Sequence, residues 1–135
     1  MTKNIFDKTF EILTKQKLKV VDKDIKRPWG GFFVISEDYA QDFSNIYFNG
    51  LNTDELKISG KLSPKILIIA PNKRLSWQYH HRRSEIWKVV YGEIKVVTSC
   101  DDVERKEKNL KEGDEIRLSK GERHRIIGTD DYAVV

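Results

Sequence analysis

Apolar residues recur along this chain in two rhythms. Between residues 4 and 17, Ile5, Phe6, Phe10 and Leu13 fall near helical spacing with charges between them, which predicts a short amphipathic helix. A short strand is expected at 18–21. The breaker-rich run Arg27-Pro28-Trp29-Gly30-Gly31 predicts a turn, and the apolar run 32–35 after it predicts a strand. Residues 38–48 place Tyr39, Phe43, Ile46 and Tyr47 near helical spacing and read as helix or mixed loop. Residues 49–63 read as polar loop with a short strand at 55–58. From residue 64 the rhythm changes. Strand-like runs at 65–70, 75–81, 86–91, 93–99, 114–118 and 124–127 alternate with turn signals at Pro71-Asn72, Gly92, Asp101-Asp102, Gly113 and Gly121. Many short strands with even punctuation predict an antiparallel sandwich or barrel. Alternation of helix with strand is lacking, as is any GxGxxG, and this argues against a parallel nucleotide-binding fold.

Composition narrows the class. A length of 135 residues suits one domain with a real core, here divided into a helical lead-in at 1–26 and a barrel at 27–135. Apolar residues make up 39% and charged residues 34%, as in a folded water-soluble protein. The formal net charge of +4 comes from basic residues interleaved with acidic ones, with no dense basic block, so no nucleic-acid partner is expected. Mild basicity suits an anionic small-molecule substrate, and equally a Lys-rich solvated surface. The single cysteine, Cys100, permits no internal disulfide and excludes a Cys-rich zinc site. No stretch approaches the roughly 20 apolar residues of a membrane helix, and the N-terminus lacks a secretory pattern. A cytoplasmic location, away from membranes, is the expectation.

The chemistry concentrates in two places. All three histidines lie in the run Leu75-Ser76-Trp77-Gln78-Tyr79-His80-His81-Arg82-Arg83-Ser84-Glu85-Ile86-Trp87 or in Gly121-Glu122-Arg123-His124-Arg125. On a strand Gln78 and His80 share a face and His81 points away. Glu85 follows after a short turn, and His124 comes from a strand distant in sequence. Nitrogen and oxygen donors with a carboxylate, converging inside a barrel, suit Zn²⁺, Fe²⁺, Mn²⁺ or a similar ion. The bland alternative for each is a packed or hydrogen-bonded strand residue.

The intervals resemble the two cupin motifs. Asn72, five residues, Gln78-x-His80, four residues, Glu85, six residues, Gly92 matches the first in every spacing. Gly113, five residues, Ser119-x-Gly121, two residues, His124, three residues, Gly128 matches the second. Asn72, Gln78, Ser119 and Gly128 depart from the motif residues, where the pattern has Gly, His, Pro and Asn. Gln in place of the first His resembles phosphomannose isomerases. The pieces Arg27-Pro28-Trp29-Gly30, Leu75-Ser76-x-Gln78-Tyr79-His80-His81, Arg83-Ser84-Glu85-x-Trp87 and Gly121-x-x-His124-Arg125 resemble the cupin domain of type II mannose-6-phosphate isomerases. The bifunctional members carry a nucleotidyltransferase domain before the cupin, which this chain lacks. Members also continue past the second motif with a strand and an acidic, Arg-containing tail, whereas this chain stops at Tyr132-Ala133-Val134-Val135 in a strand-like pattern.

The resemblance implies an all-β, double-stranded β-helix (cupin jelly-roll barrel) with a short N-terminal helix. It implies one divalent metal ion held by Gln78, His80, Glu85 and His124, zinc being expected and iron or manganese the alternatives. The implied activity is aldose–ketose isomerisation of a phosphorylated sugar such as mannose 6-phosphate. Arg83 stands where classical isomerases place a Lys near the substrate, and is the candidate for a catalytic or substrate contact. Arg27 and Trp29 are candidates at the barrel mouth. The general base is unassigned, and Trp77 and Trp87 read as packing residues. A homodimer is implied by family habit. The competing expectations are a non-catalytic sugar- or metabolite-binding cupin and an iron-dependent cupin dioxygenase, the latter disfavoured because Gln78 suits redox iron less well than imidazole.

Overall fold

The computed structural model describes residues 4–56, 62–75, 85–99, 106–118 and 123–135. Contacts gather these into two compact units, Met1–Arg27 with Gly31–Ile68 and Pro28–Gly30 with Ile69–Val135. The expected lead-in at 1–26 thus shares a unit with residues 31–68.

In the first unit, helix α1 (Ile5–Lys15) begins where the Asn4 side chain accepts a hydrogen bond from the Asp7 amide at 2.9 Å, and Asp7 adds negative charge to the first turn. Lys17 closes it in the left-handed region at φ 60°, and the Leu18 amide donates back to the Leu13 carbonyl at 3.0 Å. The helix buries Thr9 and Leu13, and its Phe10 ring lies 5.9 Å from that of Phe33. Strands β1 (Val20–Arg27), β2 (Gly30–Ile35) and β3 (Lys65–Ile69) lie in that order in one sheet. Gly31, Phe33 and Ile35 alternate inward along β2. The strand expected at 18–21 runs instead from residue 20 to residue 27. Its outer positions Asp22, Lys23 and Lys26 are exposed and carry no apolar signal.

A 3-10 turn at Glu37–Tyr39 leads into helix α2 (Ala40–Tyr47), which decides the segment left between helix and loop. Helix α2 buries Ala40, Phe43, Ser44 and Tyr47. The Tyr47 hydroxyl donates to Gln16 Oε1 at 2.7 Å. Burial raises the phenol above its ordinary range, and the Gln16 bond opposes this only in part. The strand expected at 55–58 is not formed at its start. Helix α3 (Thr53–Leu56) occupies that stretch, because Asn52 Oδ1 accepts from the Asp54 amide and Gln41 Oε1 from the Thr53 amide, which caps a helical turn. Residues 57 and 58 lie outside the described residues.

In the second unit, β4 (Glu85–Lys88) pairs antiparallel with β7 (Glu115–Leu118). Strand β5 (Glu93–Ser99) runs antiparallel between β6 (Lys106–Lys111) and β8 (Arg123–Gly128), and β9 (Ala133–Val134) follows. The register sets Thr98 opposite His124, Val96 opposite Ile126 and Ile94 opposite Gly128, so these pairs line one face. Ile94, Val96 and Ile126 are fully enclosed. Strand β6 went unread because Lys-Glu-Lys-Asn-Leu-Lys has one apolar residue, as suits an edge strand. The strand expected at 75–81 is not seen at Leu75, which lies outside any strand although its amide donates to the Ile126 carbonyl at 3.0 Å. Residues 76–81 lie outside the described residues. Gly92 turns the chain at φ +76°, where a side chain would meet the Tyr132 carbonyl. Among the described residues no helix is long and apolar enough to cross a membrane.

Candidate metal centre

Glu85 opens β4 and His124 is the second residue of β8, so the two come from different sheets of the second unit. Burial along β8 alternates, with His124, Ile126 and Gly128 inward and Arg123, Arg125 and Ile127 less buried. His124 is 2% exposed. Its Nε2 lies 3.4 Å from Glu85 Oε2, and the Glu85 side chain keeps 22% exposure. Residues 39 positions apart in sequence are thereby brought side by side. The predicted partners Gln78 and His80, and Arg83 with them, lie outside the described residues. Among the described residues no group of three or more His, Cys, Asp and Glu gathers as a metal site.

The distance bears on what the pair can hold. A direct N–H···O bond is usually about 2.7–3.2 Å long, shorter than the separation seen. Two donors each about 2.1 Å from a shared tetrahedral ion stand about 3.4 Å apart. An imidazole nitrogen and a carboxylate oxygen at that spacing fit two positions of a nitrogen- and oxygen-ligated divalent ion. The group implied by the resemblance therefore fits the two described members of its ligand set.

Trp87 is the residue that sequence reasoning passed over as packing. It sits two places after Glu85 on β4, so both side chains leave the same face. Its indole N–H donates to Glu85 Oε2 at 3.0 Å, and its ring meets the His124 ring edge-on, with centroids 5.0 Å apart and an 84° interplanar angle. The Glu85-x-Trp87 spacing was the signal available in the sequence. Thr98, buried opposite His124 across the β5–β8 ladder, is a second polar neighbour on that face.

The mouth candidates are engaged locally. Arg27 Nε pairs with Asp24 Oδ2 at 3.1 Å, and its guanidinium lies 5.7 Å from the centre of the Phe32 ring. Lys65 Nζ lies 5.7 Å from the same ring. Trp29 fixes its strand turn through its carbonyl, which accepts from the Ala70 amide at 2.8 Å. A cleft of about 540 Å³ in the second unit is lined by Arg74, Lys95, Ile127 and Thr129 among others and includes none of the predicted site residues. It is an open, mixed-charge surface cleft, apart from Glu85 and His124.

The strand content, the antiparallel pairing and the likeness to solved structures define an all-β cupin with a jelly-roll fold. The Drosophila melanogaster CENP-C cupin domain is similar with a TM-score of 0.57 at 16% identity, over 98% of this chain and 78% of its own. Vicilin from Solanum lycopersicum is similar with a TM-score of 0.60 at 17% identity, over 88% of this chain and 31% of its own. Both likenesses speak to fold alone. The mannose-6-phosphate isomerase C-terminal family matches residues 38–131, and the chain belongs to that family. The alginate biosynthesis protein AlgA of Pseudomonas aeruginosa is 30% identical over 79 residues, which are 58% of this chain and 12% of that protein. The chain thus spans a small part of that relative's length.

Proposed function

We propose that this chain supplies the metal centre of an aldose–ketose isomerase acting on a phosphorylated sugar, mannose 6-phosphate or a close relative. The observation that carries the reading is the Glu85–His124 pair, an oxygen and a nitrogen donor held 3.4 Å apart from two sheets. Membership of the mannose-6-phosphate isomerase C-terminal family supports the substrate class. Gln78 and His80 complete the ligand set in this proposal, and zinc is the ion, with iron or manganese as alternatives.

When bound, the ion supplies Lewis-acid polarisation of the substrate carbonyl and its neighbouring hydroxyl. The chain's own residues do the rest. The enclosed His124 presents its Nε2 toward the Glu85 carboxylate. Trp87 holds one oxygen of Glu85. Arg27 and Arg83 are the proposed contacts to phosphate, since a guanidinium matches phosphate oxygens in a fork, and Trp29 stands beside Arg27 in the turn. The proton passes between neighbouring carbons through a base that this reading leaves unassigned. A homodimer in the cytoplasm belongs to the same proposal; the exposed Val21 and Ile25 on β1 support the pairing.

The test is a coupled isomerase assay on mannose 6-phosphate, before and after EDTA with Zn²⁺ added back. Activity lost on chelation, restored by zinc and absent from His124→Ala upholds the proposal. A folded, zinc-loaded protein that turns over no phosphosugar is instead a binding cupin. Tightly held iron with oxygen uptake would point to dioxygenase chemistry.

A further inference from the structure

We infer that Trp87 is a positioning residue for the metal centre, fixing through its indole N–H which way the Glu85 carboxylate faces. The inference rests on the metal-dependent reading above. One side chain touches both described members of the ligand set: the N–H reaches Glu85 Oε2 at 3.0 Å, and the ring edge packs on His124 at 5.0 Å. The indole nitrogen donates and cannot accept, so it competes with neither group for an ion. It takes one lone-pair position of Oε2, the same oxygen that faces His124 Nε2.

The physical need is specific to glutamate. Its terminal torsion is broad and roughly two-fold, unlike the staggered torsions nearer the backbone. A carboxylate that turns freely presents one oxygen or two to an ion and loses that freedom on binding. The Trp87 N–H removes the freedom before any ion arrives. The antiparallel register keeps donor and acceptor together, with Glu85 opposite Leu118 and Trp87 opposite Ile116 on β7. A tryptophan present only to fill space has no reason to aim its one polar atom at this carboxylate.

Trp87→Phe removes the N–H and keeps a ring against His124. Zn²⁺ affinity of the full chain is read by competition with a chromophoric chelator, and the coordination by the visible absorption of the Co²⁺ form. The expected result is roughly 10- to 100-fold weaker zinc binding, the usual loss for an outer hydrogen-bonding partner. The intensity of the Co²⁺ bands should also change as Glu85 reorients, while the unfolding midpoint of the metal-free protein stays near that of the wild type. Equal affinity and an identical Co²⁺ spectrum overturn the inference, and so does a weaker affinity explained wholly by loss of metal-free stability. Wild-type protein that binds neither ion overturns the metal-dependent reading itself, a result separate from any behaviour of the variant. Should Trp87→Phe not fold, the indole N–H resonances of the wild type decide. The Trp87 signal moves on zinc addition and stays protected from exchange; a Trp87 signal indifferent to zinc counts against the role.

Discussion

The cupin motif has Asn where this chain has Gly128, so a consensus argument would put a side chain there and expect no harm. The structure argues the reverse. A Cβ built at Gly128 would sit 2.4 Å from the Ala70 carbonyl oxygen, 3.2 Å from the Asn72 amide nitrogen and 3.3 Å from Ile69 Cγ2. Two of the three obstacles are backbone and cannot swing aside. The 70–73 segment is pinned where it is, since the Gly128 amide donates to the Lys73 carbonyl at 2.7 Å and the Asn72 amide to the Thr129 carbonyl at 2.9 Å. Making room strains those two bonds, each worth about 0.5–1.5 kcal/mol, on top of overpacking of about 1–3 kcal/mol. Replacing glycine also restricts the unfolded chain, which returns about 0.4–1 kcal/mol. The net expectation for Gly128→Ala is a loss of about 1–4 kcal/mol, a fall in Tm of roughly 4–14 °C for a chain of this size. Gly128→Asn should cost at least as much. Chemical denaturation and calorimetry on wild type and both variants measure it. Variants as stable as the wild type, or more so, would refute the close approach of β8 to this segment.

Ile126 is 0% exposed between His124 and Gly128, so Ile126→Ala should cost about 2–5 kcal/mol in denaturant titrations; a loss under 1 kcal/mol would place it outside the core. Asn4→Ala removes the α1 cap and should cost about 1 kcal/mol, with helicity lost in circular dichroism. Burial raises the Tyr47 phenol above 10.0, so the fold favours its neutral form. That contribution is complete below the unfolded value and is lost as pH rises through the higher folded value. Alkaline titration of stability should therefore fall more steeply for wild type than for Tyr47→Phe, and identical profiles would contradict the assignment. Zinc at about 100 times its dissociation constant should stabilise the wild type by about 2.7 kcal/mol and leave His124→Ala unmoved; equal stabilisation of both would remove His124 from the ligand set.

What was legible in the sequence follows what local pattern can carry. Strand β5 was expected at 93–99 and runs there, because Gly92 punctuates its start and Ile94, Val96 and Val97 carry a buried apolar signal. Helix α1 was legible through the 3.6-residue rhythm of Ile5, Phe6, Phe10 and Leu13, whereas its Asn4 cap was not read. Strand β6 was not, since a paired edge strand has no need of apolar residues and its partner is known only once the sheet exists. Residues 55 and 56, expected to open a strand at 55–58, instead end helix α3, because its helical conformation depends on the Gln41 and Asn52 side chains. At the site, residue types and intervals named Glu85 and His124. They did not reveal that the Trp87 indole would point its N–H at Glu85, because shared strand parity fixes the face and leaves the rotamer open.

The placement of His124 follows from the same alternation that builds the core. On β8 the inward positions are His124, Ile126 and Gly128, flanked by Arg123 and Arg125. A slip of one residue would turn His124 outward and drive two arginines toward Ile94, Val96 and Thr98, burying charge without compensation. Gly128 adds a second constraint, since only a residue without Cβ passes the Ala70 carbonyl. The register that seals Ile126 into the core is thus the register that carries the imidazole to Glu85, and the geometry of the pair is held by the packing energy of the strand. A fold that places Glu85 and His124 this way needs no dedicated loop to bring them together. The cost of disturbing Ile126 or Gly128 should then appear in metal affinity as well as in stability.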